Sequence, residues 1–296
     1  MVLELGSWKN TILPGLTGTF IDEYLIEPSI IPDLYDVQSS DRYQEKLQTY
    51  FGGGLFQPFK GAIPKTQAGE AYNKTIIHTS WGSSIDIEYE LAKDDLYSVI
   101  GKVRNFSYQA RRTKEIDALQ IFNHAFDTTV STGGDGVGLC STAHPSPVSG
   151  VANQSNYGTA PLGYDNFVTA RNAMRRFYDL NGIPISVVPN VLLGPVELGE
   201  PMIGITESQL KNANFQVSVV NKTWKPQVII SQYLSDINNW FLLASREMKM
   251  HLHWYNREPL KIFDDSSTTN LIMTFAGYYR CSRDFTDYRW CYGNNV

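Results

Sequence analysis

Residues 93–126, KDDLYSVIGKVRNFSYQARRTKEIDALQIFNHAF, carry the longest helical pattern in the chain. Asp94 and Asp95 stand where acids favour a helix N-terminus. Leu96, Val99, Ile100 and Val103 recur at i, i+3, i+4 and i+7, and Ile116, Leu119 and Phe126 prolong the apolar stripe. At 1.5 Å per residue the span reaches about 50 Å, far beyond the mean helix of about 12 residues. Such a helix is a spine across which other elements pack. Gly101 inside it costs about 1 kcal/mol relative to alanine and is a place for a bend.

On the N-terminal side, Ile85, Ile87, Tyr89 and Leu91 alternate with Ser84, Asp86, Glu88 and Glu90, the period of a half-buried strand. Before them, Gly52-Gly53-Gly54, Pro58, Gly61, Pro64 and Gly69 punctuate a stretch too broken for a regular element. Residues 51–91 therefore read as a long hairpin or loop returning into a strand. Residues 1–50 read as an arm that must lie on something else. Pro14, Pro28 and Pro32 cut helices short, leaving a short helix around Thr17–Leu25.

On the C-terminal side, residues 127–163 are rich in Gly, Ser, Thr, Pro and Asn and read as turns. Tyr164–Leu180 reads as a second helix with Phe167, Ala170, Met174 and Phe177 on one face, ended by Asn181-Gly182 and Pro184. Short apolar runs at Ile185–Val188, Val191–Leu193, Val217–Val220, Val228–Ile230, Trp240–Leu243 and Leu271–Phe275 read as strands. The tail, Tyr278–Tyr292, mixes aromatic and charged residues.

At 296 residues and 33.4 kDa the chain buries roughly 36,000 Å² on folding by the scaling of folded and unfolded surfaces. That is a real core without staples. The 42% apolar and 19% charged composition excludes disorder. No apolar run approaches the roughly 18 residues of a membrane span, and Met1–Leu16 lacks a signal peptide's basic head and apolar stretch. A net charge of −5 argues against a general nucleic-acid binder. Cys140, Cys281 and Cys291, an odd set far apart, form no disulfide framework and fit a reducing compartment.

No catalytic constellation emerges. Gly133-Gly134-Asp135-Gly136-Val137-Gly138 lacks the Lys-Ser/Thr of a phosphate loop and the strand and helix of a dinucleotide loop, so it reads as a turn. Cys140 with His144, and His251 with His253 on one strand face, are two pairs that nothing joins into a zinc site. Asp94-Asp95 and Asp264-Asp265 are adjacent pairs whose side chains diverge. Arg111-Arg112 with Lys114, followed by Glu115 and Asp117, reads as a salt-bridged helix surface. A long arm, a long loop and a long helix leave surface that wants a partner, which is the shape of an assembling subunit.

The central stretch resembles the major capsid proteins of tailed phages, most closely the Mu-like major head subunit family. The resemblance runs through Gly69-Glu70-Ala71-Tyr72, His78, Trp81-Gly82, Glu90–Tyr97, Ala110–Glu115 and Ile121–Phe126. Its most recognisable piece is Gly134-Asp135-Gly136-Val137-Gly138-Leu139-Cys140-Ser141-Thr142-Ala143-His144-Pro145, and Pro189–Pro195 and Trp240–Leu243 follow. In order, these cover roughly residues 69–243.

The resemblance implies an α+β fold of the Hong Kong ninety-seven type. Its parts would be an N-terminal arm at 1–50, an extended hairpin (the E-loop) at 51–85, a peripheral domain with the spine helix at 86–149, an axial domain at 150–245, and a return to the peripheral domain at 246–296. The helix usual after Pro195 should be short or broken, because Gly199 and Pro201 interrupt Val196–Ile205. The implied function is structural and not enzymatic, with no cofactor and no metal: self-assembly into hexamers and pentamers of an icosahedral head shell around double-stranded DNA, contacted without sequence preference. An encapsulin-like shell around a protein cargo is the alternative. Scaffold, portal and cement proteins are implied partners, no membrane is involved, and the place is the virion after assembly in the host cytoplasm. The inter-subunit contacts expected are Phe56, Phe59, Lys60, Lys65, Glu70 and Tyr72 on the hairpin and Arg111 and Arg112 on the helix.

Overall fold

A computed structural model describes residues 5–52, 54–59, 61, 63, 69–207, 225–267 and 271–296. The expected strand Val217–Val220 lies outside these residues. The chain runs α1 (Leu5–Leu25), α2 (Ile31–Leu34), β1 (Asp36–Ser39), β2 (Gln44–Phe51), β3 (Gly69–Ile77), β4 (Thr79–Glu88), α3 (Tyr89–Asp94) and α4 (Leu96–Asn123). It continues with β5 (Tyr157–Gly158), α5 (Tyr164–Met174), β6 (Val191–Pro195), a 3₁₀ turn at Val196–Leu198, α6 (Gly199–Glu207), β7 (Gln227–Ser231) and β8 (Trp240–Leu243). It ends with α7 (Ser245–His251), β9 (Leu252–Ser267), β10 (Ile272–Phe285) and β11 (Cys291–Asn294).

The long helix is present and passes through Gly101 uninterrupted. Its 28 residues span about 42 Å. It starts three residues later than the sequence suggests because Asp95 leaves the helical region (φ −141°, ψ 76°) and caps it. The Asp95 carboxylate accepts from the Ser98 amide at 3.1 Å and from the Ser98 hydroxyl at 2.5 Å. These bonds hold its carboxyl below the usual carboxylate range. Tyr89 and Leu91 belong to the short α3 and not to a strand; β4 stops at Glu88.

The helix joins two cores. Its N-terminal half buries Val99, Val103 and Phe106 against Leu16 and Phe20 of α1 and against Ile87, Met273 and Phe275 of the sheet. Its C-terminal half buries Ala118, Leu119, Ile121 and Phe122 with Leu193, Phe241, Trp254 and Trp290. A third core packs Phe167, Ala170 and Met174 of α5 on Leu192, Trp240 and Leu242.

The N-terminal helix is 21 residues long, not the short Thr17–Leu25, and runs through Pro14. An internal proline costs about 3 kcal/mol, while Leu16 and Phe20, 2% and 0% exposed, each return about 1.5–3 kcal/mol on burial. The Ser107 hydroxyl also donates to the Phe20 carbonyl at 2.6 Å. Tertiary packing thus outweighs the local break.

Two sheets frame the long helix. The first has the order β1-β9-β10-β4, the second β5-β11-β8-β6-β7. The β9–β10 hairpin is much longer than the sequence suggests, and its Pro259 falls where the register shifts between Tyr278 and Arg280. It also lies beyond Asn256, the last residue that pairs with β1, so no ladder needs its missing N–H. β11 lies between β5 and β8, so residues 246–296 supply strands to both sheets.

Other expectations change in detail. α5 stops at Met174, because Tyr178 leaves to exchange bonds with the Gln154 side chain: its amide donates to Oε1 at 3.0 Å and its carbonyl accepts from Nε2 at 2.8 Å. Ile185–Val188 is not a strand. The helix after Pro195 is short, as expected, with Pro201 accommodated in the first turn of α6. His251 ends α7 while His253 lies in β9, so the two do not share a strand face.

Candidate functional site

β2 and β3 form a separate two-stranded antiparallel ribbon, paired from Gln44↔Ile77 to Phe51↔Gly69. The ribbon takes in Gln44–Tyr50, which the sequence reading gives to the arm. An isolated hairpin is marginal in water, so its base must be held by the body.

Lys74 does much of this holding. Its ammonium donates to the Asp284 carboxylate at 2.7 Å and to the Thr132 carbonyl, and it lies 5.2 Å from the Phe285 ring centroid. The Ser131 hydroxyl donates to the same carboxylate. The Tyr72 hydroxyl donates to the Pro145 carbonyl at 2.6 Å. Tyr72 lies so close to the glycine turn that a Cβ on Gly134 would fall 2.7 Å from the Tyr72 Cβ. The turn itself has Gly136 at φ +82°, the left-handed region glycine enters freely.

Behind that turn, His144 is clamped from both sides. Nδ1 faces Asp135 Oδ2 at 2.6 Å and Nε2 faces Asn156 Oδ1 at 2.9 Å, while the ring stacks on Tyr288 with centroids 3.5 Å apart. The Asn156 amide nitrogen donates to the Leu139 and Cys291 carbonyls. Residues 134–145 are thus a structural clip, and neither Cys140 nor His144 is placed as a metal ligand. Among the described residues no group of three His, Cys, Asp or Glu could hold a metal ion, and no helix is long and apolar enough to cross a membrane.

His78 is the pivot where the ribbon turns into β4. Its ring lies 3.2 Å from the Ser40 hydroxyl and 2.8 Å from that of Ser282. Burial lowers its pKa, with the Arg280 charge adding to the effect. Burial likewise lowers His251 and His253. A group whose folded pKa is depressed contributes stability above its unfolded value and loses it as the pH falls through the folded one. The Tm should therefore decline on acidification below about pH 6.5, before carboxylates titrate. A Tm that stays flat from about pH 7 to about pH 5 in a thermal-melt series would exclude this.

The far end of the ribbon is the reverse of its base. Leu55, Phe56, Phe59 and Ile63 are 70%, 102%, 71% and 84% exposed. Among the described residues nothing covers these four large apolar side chains. Among the expected contact residues, Phe56 and Phe59 sit on this tip and Glu70 is exposed on β3. Lys60 and Lys65 lie outside the described residues. Tyr72 is turned to the body instead.

Arg111 and Arg112 are not part of the ribbon. Arg111 pairs with Glu27 at 2.7 Å beside a groove of about 410 Å³ between α1, α2 and α4, and Arg112 is exposed. The salt-bridged helix surface exists, but its partners come from outside the helix. Glu115 accepts from the Ser29 hydroxyl at 2.5 Å and the Ile30 amide at 3.2 Å, and Asp117 pairs with Arg283 at 2.6 Å. Sequence reading missed Leu55, Ile63, Lys74 and Asp284. Apolar residues between closely spaced glycines could have revealed the first two; Lys74 and Asp284 are 210 positions apart and leave no local signal.

The phage capsid protein family model matches residues 73–294. Comparison with curated proteins found no match. In fold the chain is similar to the mature capsid of bacteriophage PhiM1, at 13% identity over 92% of this chain and 88% of that one, with a TM-score of 0.57. It is similar to the capsid of an empty GTA particle, at 13% identity over 90% and 94%, with a TM-score of 0.55. A virus-like particle from Pyrococcus furiosus matches at 10% identity over 95% and 98%, with a TM-score of 0.54.

Proposed function

This chain belongs to the phage capsid protein family, and from that premise we propose that its β2–β3 ribbon is the E-loop by which one subunit grips the next. The chain is a structural major capsid protein of the virion, with the tailed-phage capsid fold of the Hong Kong ninety-seven type. The encapsulin-like alternative is not favoured, since the matching family is that of phage capsids.

The observation that carries the proposal is the apolar tip at Leu55, Phe56, Phe59 and Ile63, presented on a ribbon whose base is fixed by Lys74 and Tyr72. Covering four such side chains supplies about 6–12 kcal/mol per subunit, at about 1.5–3 kcal/mol each. A neighbouring copy is the occupant a shell provides. On this reading α1 and the following segment act as the arm and the β9–β10 sheet with α4 as the peripheral domain. The five-stranded sheet with α5 and α6 then serves as the axial domain, with β11 as the strand that ties it to the chain's end. Hexamers and pentamers close the shell, assembled in the host cytoplasm with scaffold, portal and cement proteins as partners. The resemblance of the ordered sequence pieces to the Mu-like head subunits supports that subfamily as the reading.

The packaged DNA is contacted weakly and without sequence preference, in keeping with a net charge of −5. Purified protein, alone and with a co-expressed scaffold, should give capsomers or shells in negative stain and large species in light scattering. A strictly monomeric protein under both conditions would overturn the proposal. A gel shift with one preferred DNA sequence at about 150 mM salt would overturn the DNA reading.

A further inference from the structure

Cys140 and Cys291 are 151 positions apart, yet their sulfurs lie 3.7 Å from each other and both residues are buried. The surroundings hold the pair in place. The Cys140 amide donates to the Ala125 carbonyl at 2.7 Å, just past α4. The Asn156 amide nitrogen bonds the Leu139 and Cys291 carbonyls at 2.8 and 3.1 Å, tying the two cysteine-bearing segments together. Gly293 leaves room for the Cys140 sulfur, since a Cβ there would fall 2.6 Å from Sγ and 3.0 Å from the Phe126 and Phe241 rings. Cys281, the third thiol, lies on β10 within the influence of the Asp117 and Lys114 charges, and among the described residues no second thiol stands against it.

We propose that Cys140 and Cys291 are a latent disulfide, a covalent modification site that staples β11 to the segment following the long helix. Closure requires the sulfurs to approach from 3.7 Å to about 2.05 Å. The oxidant belongs to the class of diazenes or peroxides. With a diazene, both S–H bonds break and one S–S bond forms, and the two protons and two electrons pass to the N=N bond, giving the hydrazine. In a reducing cytosol the pair stays as thiols; outside the cell the bond can persist. Burial raises the Cys291 thiol, with the Cys140 hydrogen bond next, so the reaction is slow compared with that of an exposed thiolate.

The test treats folded protein with diamide, then denatures, alkylates and maps peptides by mass spectrometry. The expected product is lighter by two hydrogens, joins the Cys140 and Cys291 peptides, and leaves only Cys281 alkylated. Its Tm should rise by several degrees and revert with dithiothreitol. Cys140→Ser and Cys291→Ser should each remove the cross-linked product. Three alkylated thiols after prolonged oxidation of the parent would overturn the proposal, as would a bond to Cys281. So would equal rates in folded and denatured protein, or a lowered Tm. The measurement on the parent chain stands even where a serine variant does not fold.

Discussion

A triple variant, Phe56→Ser with Phe59→Ser and Ile63→Ser, is expected to give a folded subunit that forms no shells. The three side chains are 102%, 71% and 84% exposed, so the isolated subunit gains nothing from them. Exposed substitutions usually change stability within about 0.5 kcal/mol each, and the thermal melt and far-UV circular dichroism should match the parent. Assembly loses about 5–9 kcal/mol of apolar burial per subunit, at about 1.5–3 kcal/mol for each side chain. Since about 1.4 kcal/mol is a factor of ten in an equilibrium constant, the contact weakens by three orders of magnitude or more, repeated at every copy. Size exclusion with light scattering and electron microscopy decide the matter. Shells at the parent's yield would show that the tip carries no contact, and loss of fold would show that it belongs to the subunit's own core.

The second large effect is expected from Ala118→Pro. Ala118 is fully buried in the second half of α4, and its carbonyl accepts from the buried Tyr35 hydroxyl. Proline there removes a helical hydrogen bond and clashes with the preceding turn, costing about 3 kcal/mol or more. Forcing the ring into a packed core adds about 1–3 kcal/mol. Against a typical total of about 5–15 kcal/mol, the variant should melt far below the parent and form no regular shells. Gln120→Ala, at a half-buried position two residues on, should assemble normally. An Ala118→Pro protein that melts like the parent would remove the helix from its role as the joint between two cores.

Much of this architecture was legible in the residues themselves. The stripe of Val99 and Val103 marks α4, and Trp240–Leu243 is a strand from end to end because all four residues are buried. What escaped has identifiable physical causes. Pro14 argues for a break that Leu16 and Phe20 override by packing on Phe106 and Phe275, residues far away in sequence. Pro259 argues against a strand that survives because a bulge and an unpaired side absorb it. The apolar tip was partly legible, through Phe56 and Phe59. The ribbon's anchorage was not, since Lys74 meets Asp284 and Tyr72 meets Pro145 only after the chain has folded.

The position of β11 bears on when the subunit can become competent. The five-stranded sheet has residues 291–294 hydrogen-bonded between β5 and β8. A strand still inside the ribosome pairs with nothing, so from the synthesis of β8 at residues 240–243 until residues 291–294 emerge, the β8 edge that β11 covers stays open. Such edges template wrong pairings. Synthesis at about 5–20 residues per second sets how long that edge stays open, and non-local pairing of this kind is slow. Pairing of β11 with β8 closes that edge and removes the template.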